Sequence, residues 1–218
     1  MFYKLSNKRF YKSGCLTVFS ITSFTSSAEM SSKYAIDCEM VESNRKSMLA
    51  RVSIVDQNGS VVLDEYVKPT GPITDYREFV SGIRKRQLDN GSDFNRVKDR
   101  VASILRGSIL IGHSLKFDLE ALGLTHPERN QRDLANYEPF TRTNYGQPVA
   151  LKTLAMKYLG RSIQNGEHDS VQDARACMDI YKQNRYLIQT LCQYLTRTPI
   201  KIPVLLKLLY TDKNDIFF

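Results

Sequence analysis

Apolar and polar positions alternate or cluster in short runs separated by turn residues, and their period assigns elements to most of the middle of the chain. Tyr34 to Met40 is an apolar run interrupted by acids and predicts a buried strand. Ala50 to Asp56 predicts a second strand, with Ala50, Val52 and Ile54 sharing one face. Gln57-Asn58-Gly59-Ser60 is a turn signal, and Val61 to Val67 returns as a strand. Sequential strands with such short connections predict an antiparallel meander.

Beyond Pro69 and Pro72 the chain becomes polar. Phe94, Val97, Val101, Ile104 and Leu105 then recur at helical spacing up to Gly107. Ile109-Leu110-Ile111 predicts a short buried strand, and Leu115 to Leu122 the helix after it. Two further helices are predicted over Val149 to Leu159 and from Ser170 to about Ile188. A meander followed by alternating helices and strands implies an α/β fold, a mixed sheet covered by helices. Leu187 to Tyr210 is apolar but broken by Pro199, Pro203 and several cations, so residues 189–218 form a tail without an assigned structure.

At 218 residues and 42% hydrophobic content, the chain suits one core-forming domain, placed at residues 33–188, with flanking segments. Cys15, Cys38, Cys177 and Cys192 make no C-x-x-C pair and no zinc spacing, which points to reduced thiols in an intracellular protein. No apolar stretch reaches the roughly 18–20 residues of a membrane span. Residues 1–32 are Ser-rich, basic and free of acids until Glu29; a mitochondrial targeting segment and a disordered basic extension both fit. The net charge is +8, but Lys4, Lys8, Arg9 and Lys12 supply half of it from this leader. The basic excess over the rest of the chain is therefore modest, and charge alone is a weak argument for a polyanionic partner.

The chemistry lies in acids placed beside apolar runs. Asp37 and Glu39 are two apart on a predicted strand, so both carboxylates share a face while Cys38 points the other way. Asp118 follows Gly112-His113 where a strand passes into a helix, and His168 precedes Asp173 at the start of another. Each has a structural account by itself. Asp37 and Glu39 could mark a solvated strand face, and Asp118 could complement a helix dipole. Asp173 could be the last member of a capping box Ser170-Val171-Gln172-Asp173, with Asp169 or Ser170 as N-cap. His113 is better suited to orienting a neighbour than to binding metal. Brought together, the carboxylates would repel unless divalent cations neutralised them, and an all-oxygen set suits Mg²⁺ or Mn²⁺.

The motifs Asp37-x-Glu39, Gly112-His113-x₄-Asp118 and His168-x₄-Asp173 resemble, in order and spacing, the three motifs of the DEDDh 3′→5′ exonuclease family. The resemblance runs from about Tyr34 to Tyr186. Within that family the chain is similar to the branch of RNA exonuclease 4 and the interferon-stimulated 20 kDa exonuclease, on Asp37-Cys38-Glu39-Met40-Val41, Leu49-Ala50-Arg51-Val52-Ser53, Val67-Lys68-Pro69, Thr74-Asp75-Tyr76-Arg77, Val80-Ser81-Gly82-Ile83 and Ser170-Val171-Gln172-Asp173-Ala174-Arg175. Glu42-Ser43-Asn44-Arg45-Lys46 lacks the glycines often found after the first motif in relatives.

This resemblance implies a ribonuclease-H-like mixed five-stranded sheet flanked by helices, and two-metal hydrolysis of RNA to nucleoside monophosphates. Two Mg²⁺ or Mn²⁺ are implied, with Asp37 bridging them, Glu39 and Asp173 on the water-holding ion, and Asp118 on the other. His168 is implied as general base. Met40 and Arg77 become candidates for the terminal nucleotide, and Arg84-Lys85-Arg86 for backbone phosphate. The expected partner is the 3′ end of single-stranded RNA, possibly DNA, acted on by a monomer with no membrane association. An exodeoxyribonuclease and a silent nucleic-acid-binding scaffold are the alternatives. The branch implies RNA processing in the nucleus or nucleolus, whereas the leader implies mitochondria.

Overall fold

Two long strands occupy the centre of the fold. In the computed structural model, which describes residues 31–141 and 144–197, β1 runs over Lys33–Ser43 and β2 over Lys46–Asp56. They pair antiparallel from Tyr34↔Asp56 to Ser43↔Lys46, so only Asn44 and Arg45 remain to turn the chain. Both take left-handed backbone angles, with φ of 49° and 65°. That is the conformation a two-residue hairpin demands, and Asn tolerates it better than most residues. Without a glycine to mark the turn, the sequence pattern ended β1 early and began β2 late.

β3, Val61–Tyr66, pairs antiparallel with β2, which completes the expected meander. β4, Ile109–Gly112, and β5, Gln131–Asp133, add in parallel on the other side of β1, giving the order β3-β2-β1-β4-β5. Between β3 and β4 stand two short helices, α1 (Glu78–Ser81) and α2 (Lys85–Asp89), in the stretch read as polar loop, and then α3 (Phe94–Leu105). α4 (Leu115–Leu122) links β4 to β5. After β5 come α5 (Glu138–Thr141), α6 (Leu151–Leu159) and α7 (Ser170–Arg197). α7 thus continues past the expected end near Ile188. The leader through Met30 and residues 198–218 lie outside the described residues.

The sheet separates two apolar layers. On one face Ala35, Val55, Ile109 and Ile111 pack with Leu151, Leu154, Ala174, Cys177 and Tyr181 of α6 and α7. On the other, Ile36, Val52, Ile54 and Leu110 pack with Val97, Val101, Leu115 and Leu119 of α3 and α4. A smaller cluster of Val41, Ala50, Ile83 and Leu88 seats α2 and the chain before it against the far end of the hairpin. Among the described residues no helix is long and apolar enough to cross a membrane.

Two local features open a site beside β1. β4 pairs with β1 only as far as Ala35↔Ile111 and stops at Gly112. A Cβ at Gly112 would stand 2.4 Å from Leu115 Cδ2 and 3.2 Å from the Ile36 carbonyl oxygen, so glycine lets α4 fold back directly over the strand end. The turn is held by Asp133 at the end of β5, whose carboxylate accepts the backbone N–H of Ser114 at 2.7 Å and of Leu115 at 3.2 Å. Among the described residues the edge of β1 beyond Ala35 is therefore left without a strand neighbour on this side, and Asp37 lies there.

Leu115 is fully buried where α4 meets the sheet. Leu115→Ala should lower unfolding free energy by about 2–5 kcal/mol in urea denaturation; a loss well below that range would mean the Asp133 cap alone holds α4.

Candidate active site

β1 sends Asp37 and Glu39 to the face covered by α7, since Ala35 belongs to that layer and side chains repeat every two residues. Just past Glu39 the register slips: Glu39 faces Arg51 and Met40 faces Leu49, leaving Ala50 as the extra residue of a bulge. Val67 of the following loop bonds the Ala50 carbonyl at 2.9 Å. Bulges of this kind bend a strand and re-aim its side chains, and are frequent beside functional sites.

α7 brings Asp173 opposite this pair. Oxygen atoms of Asp37, Glu39 and Asp173 lie within 4.8 Å of one another. Glu39, Asp118 and Asp173 are buried, at 5%, 4% and 1% exposure. Asp118, from α4, stands outside this three-carboxylate cluster but close enough that its charge raises the pKa of Asp37. Its own carboxylate takes hydrogen bonds from the Cys38 thiol and backbone.

The cost of this crowding shows in the acidities. Burial first, then the charges of Asp118, Asp173 and Glu39, push Asp37 well above the carboxylate range. Burial, followed by Asp173, raises Glu39 to about 8. Burial raises Asp118 to about 7, against the Cys38 hydrogen bonds that pull it down. Asp173 is also raised by burial, with a hydrogen bond from Gln164 at 2.8 Å and the nearby His168 opposing the shift. Two buried oxygens in the cluster, Glu39 Oε1 and Asp173 Oδ1, have no hydrogen-bond partner among the described residues. Buried carboxylate oxygens rarely go unmatched. Convergent, unmatched, oxygen-only donors fit a hard divalent cation.

The capping account of Asp173 does not hold. Asp169 is the residue that caps α7: its carboxylate accepts the N–H groups of Val171 and Gln172 at 2.9 and 3.2 Å. Asp173 therefore sits one residue beyond the position that reaches back in a capping box, and its carboxylate is free to face β1. His168 is half-buried, with Nδ1 3.9 Å from Asp173 Oδ2. Its backbone N–H is fixed to the Val80 carbonyl at 2.7 Å. His113 Nε2 hydrogen-bonds the Val149 carbonyl at 2.7 Å.

The remaining candidates divide. Met40 is half-buried on the strand just after the bulge, outside the three apolar clusters. Arg77, itself in a left-handed conformation with φ 53°, bonds Glu42 at 3.0 Å and Ser47 at 3.3 Å. Of the cationic run, Arg84 is paired with Glu167 and Lys85 with Asp89, so most of the supposed phosphate patch neutralises itself.

An exonuclease family model matches residues 34–181, which include all of these acids and His168. The chain belongs to the exonuclease family. RNA exonuclease 4 of Mus musculus is 50% identical over 151 residues, covering 67% of this chain and 35% of that one. The Saccharomyces cerevisiae RNA exonuclease 4 is 44% identical over 163 residues, covering 73% and 56%. This chain thus spans about a third to about half the length of those relatives. Among solved structures, the Saccharomyces cerevisiae Pan2 pseudoubiquitin hydrolase–RNA exonuclease module in complex with AAGGAA RNA has a TM-score of 0.65 at 28% identity, covering 75% of this chain and 31% of that chain. The sheet is the ribonuclease-H-like one that the motifs implied.

Several residues around the acids belong to the segments that carry the branch resemblance but have no role implied by it. Arg51, opposite Glu39, makes a bidentate pair with Asp64 at 2.7 and 2.9 Å, comes within 3.7 Å of Asp169 and lies over the Tyr66 ring. Ser53 bonds Asp64 and, at 2.7 Å, the buried Ser170 hydroxyl. This network ties β2 and β3 to the residues just after His168. Arg51 and Ser53 alternate on β2 in phase with Val55, on the face covered by α7, and a polar pair there is the sequence signal that was available.

Metal-free protein should lose stability as pH rises. A carboxyl whose folded pKa is raised stabilises the fold below its ordinary value, 4.5 for Glu39, and loses that contribution as pH climbs through about 8. In EDTA the melting temperature should fall by on the order of 5–10 °C across this window, from a cost of a few kcal/mol. Mg²⁺ should restore most of it, and Glu39→Gln should flatten the slope; an EDTA profile that stays level overturns the account. Separately, a denaturation cycle of Arg51→Gln and Asp64→Asn should show a coupling of about 1–3 kcal/mol; additive losses would mean the two act apart.

Proposed function

We propose that this chain is a metal-dependent 3′→5′ exonuclease that hydrolyses single-stranded RNA to nucleoside monophosphates. The observation that carries the reading is the convergence of Asp37, Glu39 and Asp173 within 4.8 Å, with Glu39 Oε1 and Asp173 Oδ1 unmatched. Relatives named RNA exonuclease 4, and a Pan2 exonuclease module bound to RNA, support RNA as the substrate class.

Asp37, Glu39 and Asp173 would hold one divalent cation, Mg²⁺ or Mn²⁺, and Asp37 with Asp118 a second. When bound, such a pair supplies charge stabilisation to the attacking and leaving oxygens of an in-line displacement. The protein's part is to hold the four acids in place, and to remove a proton. His168 takes that proton from the attacking water: it is half-buried beside the acids, with Nδ1 3.9 Å from Asp173 Oδ2. Met40 would contact the terminal nucleotide and Arg77 its ribose. Residues 33–188 would form the nuclease unit, acting as a monomer in the nucleus or, if the leader directs it, in mitochondria.

One observation favours activity on DNA as well. The Arg77 guanidinium is already engaged by Glu42 and Ser47, so a ribose hydroxyl would have to compete for it.

Digestion of 3′-labelled single-stranded RNA and matched DNA tests both readings. Mg²⁺ or Mn²⁺ should support release of labelled mononucleotide and EDTA should abolish it, with Asp37→Ala reduced to background. His168→Ala should slow turnover by about 10²–10⁴-fold with metal affinity largely kept. Cleavage that persists in EDTA or in Asp37→Ala rules out the metal mechanism. Collapse of metal affinity in His168→Ala would make the histidine a ligand rather than a base.

A further inference from the structure

We propose that Phe79 is a stacking platform for a base of the bound single strand, upstream of the nucleotide being removed. The inference rests on the reading of the carboxylate cluster as a nuclease site.

α1 is a single turn clamped at both ends. At its start Arg77 bonds Glu42 and Ser47 of the hairpin and places its backbone N–H 2.7 Å from an Asp75 carboxylate oxygen. At its end Gly82, with φ 65°, packs so closely on the His168 loop that a Cβ there would stand 3.2 Å from Glu167 Oε2 and 3.5 Å from the His168 carbonyl. Arg84 pairs with Glu167, and the Val80 carbonyl holds the His168 N–H at 2.7 Å. The turn thus bridges the outer end of β1 and the loop that carries the histidine.

On this fixed piece of backbone Phe79 is 94% exposed and Val80 54% exposed, while Ser81 and Ile83 turn inward. A nearly bare aromatic ring one residue from the carbonyl that positions His168 is an unusual surface for a turn otherwise lined by charge: Glu78, Arg84 and Lys85 surround it in sequence. One ring and one valine are too small for a protein interface, which needs about 800 Å² on each partner. They match one nucleobase. Every base offers a π-face, so capture is tolerant of sequence, as removal of successive nucleotides requires. Because the backbone is anchored on both sides, little freedom is lost when the base arrives.

The chain contains no tryptophan, so Phe79→Trp creates a single reporter. A 5′-labelled oligouridylate is titrated in EDTA, with Trp emission and oligonucleotide anisotropy followed together. Emission should be quenched and should saturate with the anisotropy. Phe79→Ala should raise Kd by about 5- to 150-fold, the range for loss of one base–aromatic stack, and Phe79→Tyr, which keeps the ring, should recover most of it. Anisotropy that rises while Trp emission stays unchanged overturns the proposal, as does Phe79→Ala binding as tightly as the parent. A parent chain that binds no oligonucleotide overturns it too, and the substrate class with it, which separates the two failures.

Discussion

Mutual repulsion among buried carboxylates is the constraint around which this fold is arranged. Asp37, Glu39, Asp118 and Asp173 occupy a region where burial penalises every one of them, and their charges act on each other through little water. The protein supplies only partial relief. Arg51 lies opposite Glu39 but spends its fork on Asp64, Gln164 gives Asp173 one bond, and Cys38 serves Asp118. What remains unmet is at Glu39 Oε1 and Asp173 Oδ1, on two of the three residues whose carboxylates converge within 4.8 Å. An arrangement this unfavourable in isolation persists because the scaffold over-determines it: β1 is paired with β2 along nearly its whole length and with β4 at its start, and α7 is long and packed on the sheet.

The scaffold achieves this by stopping elements early rather than by adding them. β4 ends at Gly112 because α4 must turn over Ile36, and that end uncovers Asp37 while delivering Asp118. The bulge at Ala50 bends the hairpin just past Glu39. Asp133 and Asp169 cap the two helices that carry Asp118 and Asp173, so two acids outside the cluster fix the position of two within or beside it. Substituting either cap would act on the site through geometry, with no change in its donor atoms.

These devices explain which parts of the molecule were legible beforehand. The meander, α3, β4 and α4 follow from periodicity, because in each the apolar stripe faces one of the two large clusters. The acid–x–acid pair was visible because alternation on a strand is a strict rule. β5 was not: Gln131-Arg132-Asp133 is polar, and it is a strand only through backbone pairing to β4. α1 and α2 were hidden for a related reason, each being about one turn long and burying few apolar residues. The N-cap of α7 was ambiguous between Asp169 and Ser170, since Asp and Ser both cap well; the hydrogen bonds to Asp169 resolve it. Arg51 was legible only as part of a matching segment, with no role, because an arginine on a strand usually marks solvent, whereas here it faces Glu39 in the pairing register.

The pairing of Arg77 with Glu42 bears on how the site would choose a sugar. Glu42 sits on the strand three residues past Glu39, and its backbone N–H bonds the Asp75 carbonyl at 2.7 Å, so the ion pair and the backbone bridge lock the same two segments. Both side chains are about one-third exposed, where an ion pair holds by only about 0.2–1 kcal/mol. A ribose that offered hydroxyls to Arg77 could therefore displace Glu42 at small cost, while deoxyribose would leave the pair intact. Discrimination by this route is bounded by the small difference between two weak interactions. A strong preference for RNA would require contacts beyond Arg77, and Met40, half-buried after the bulge, is the nearest candidate along the strand.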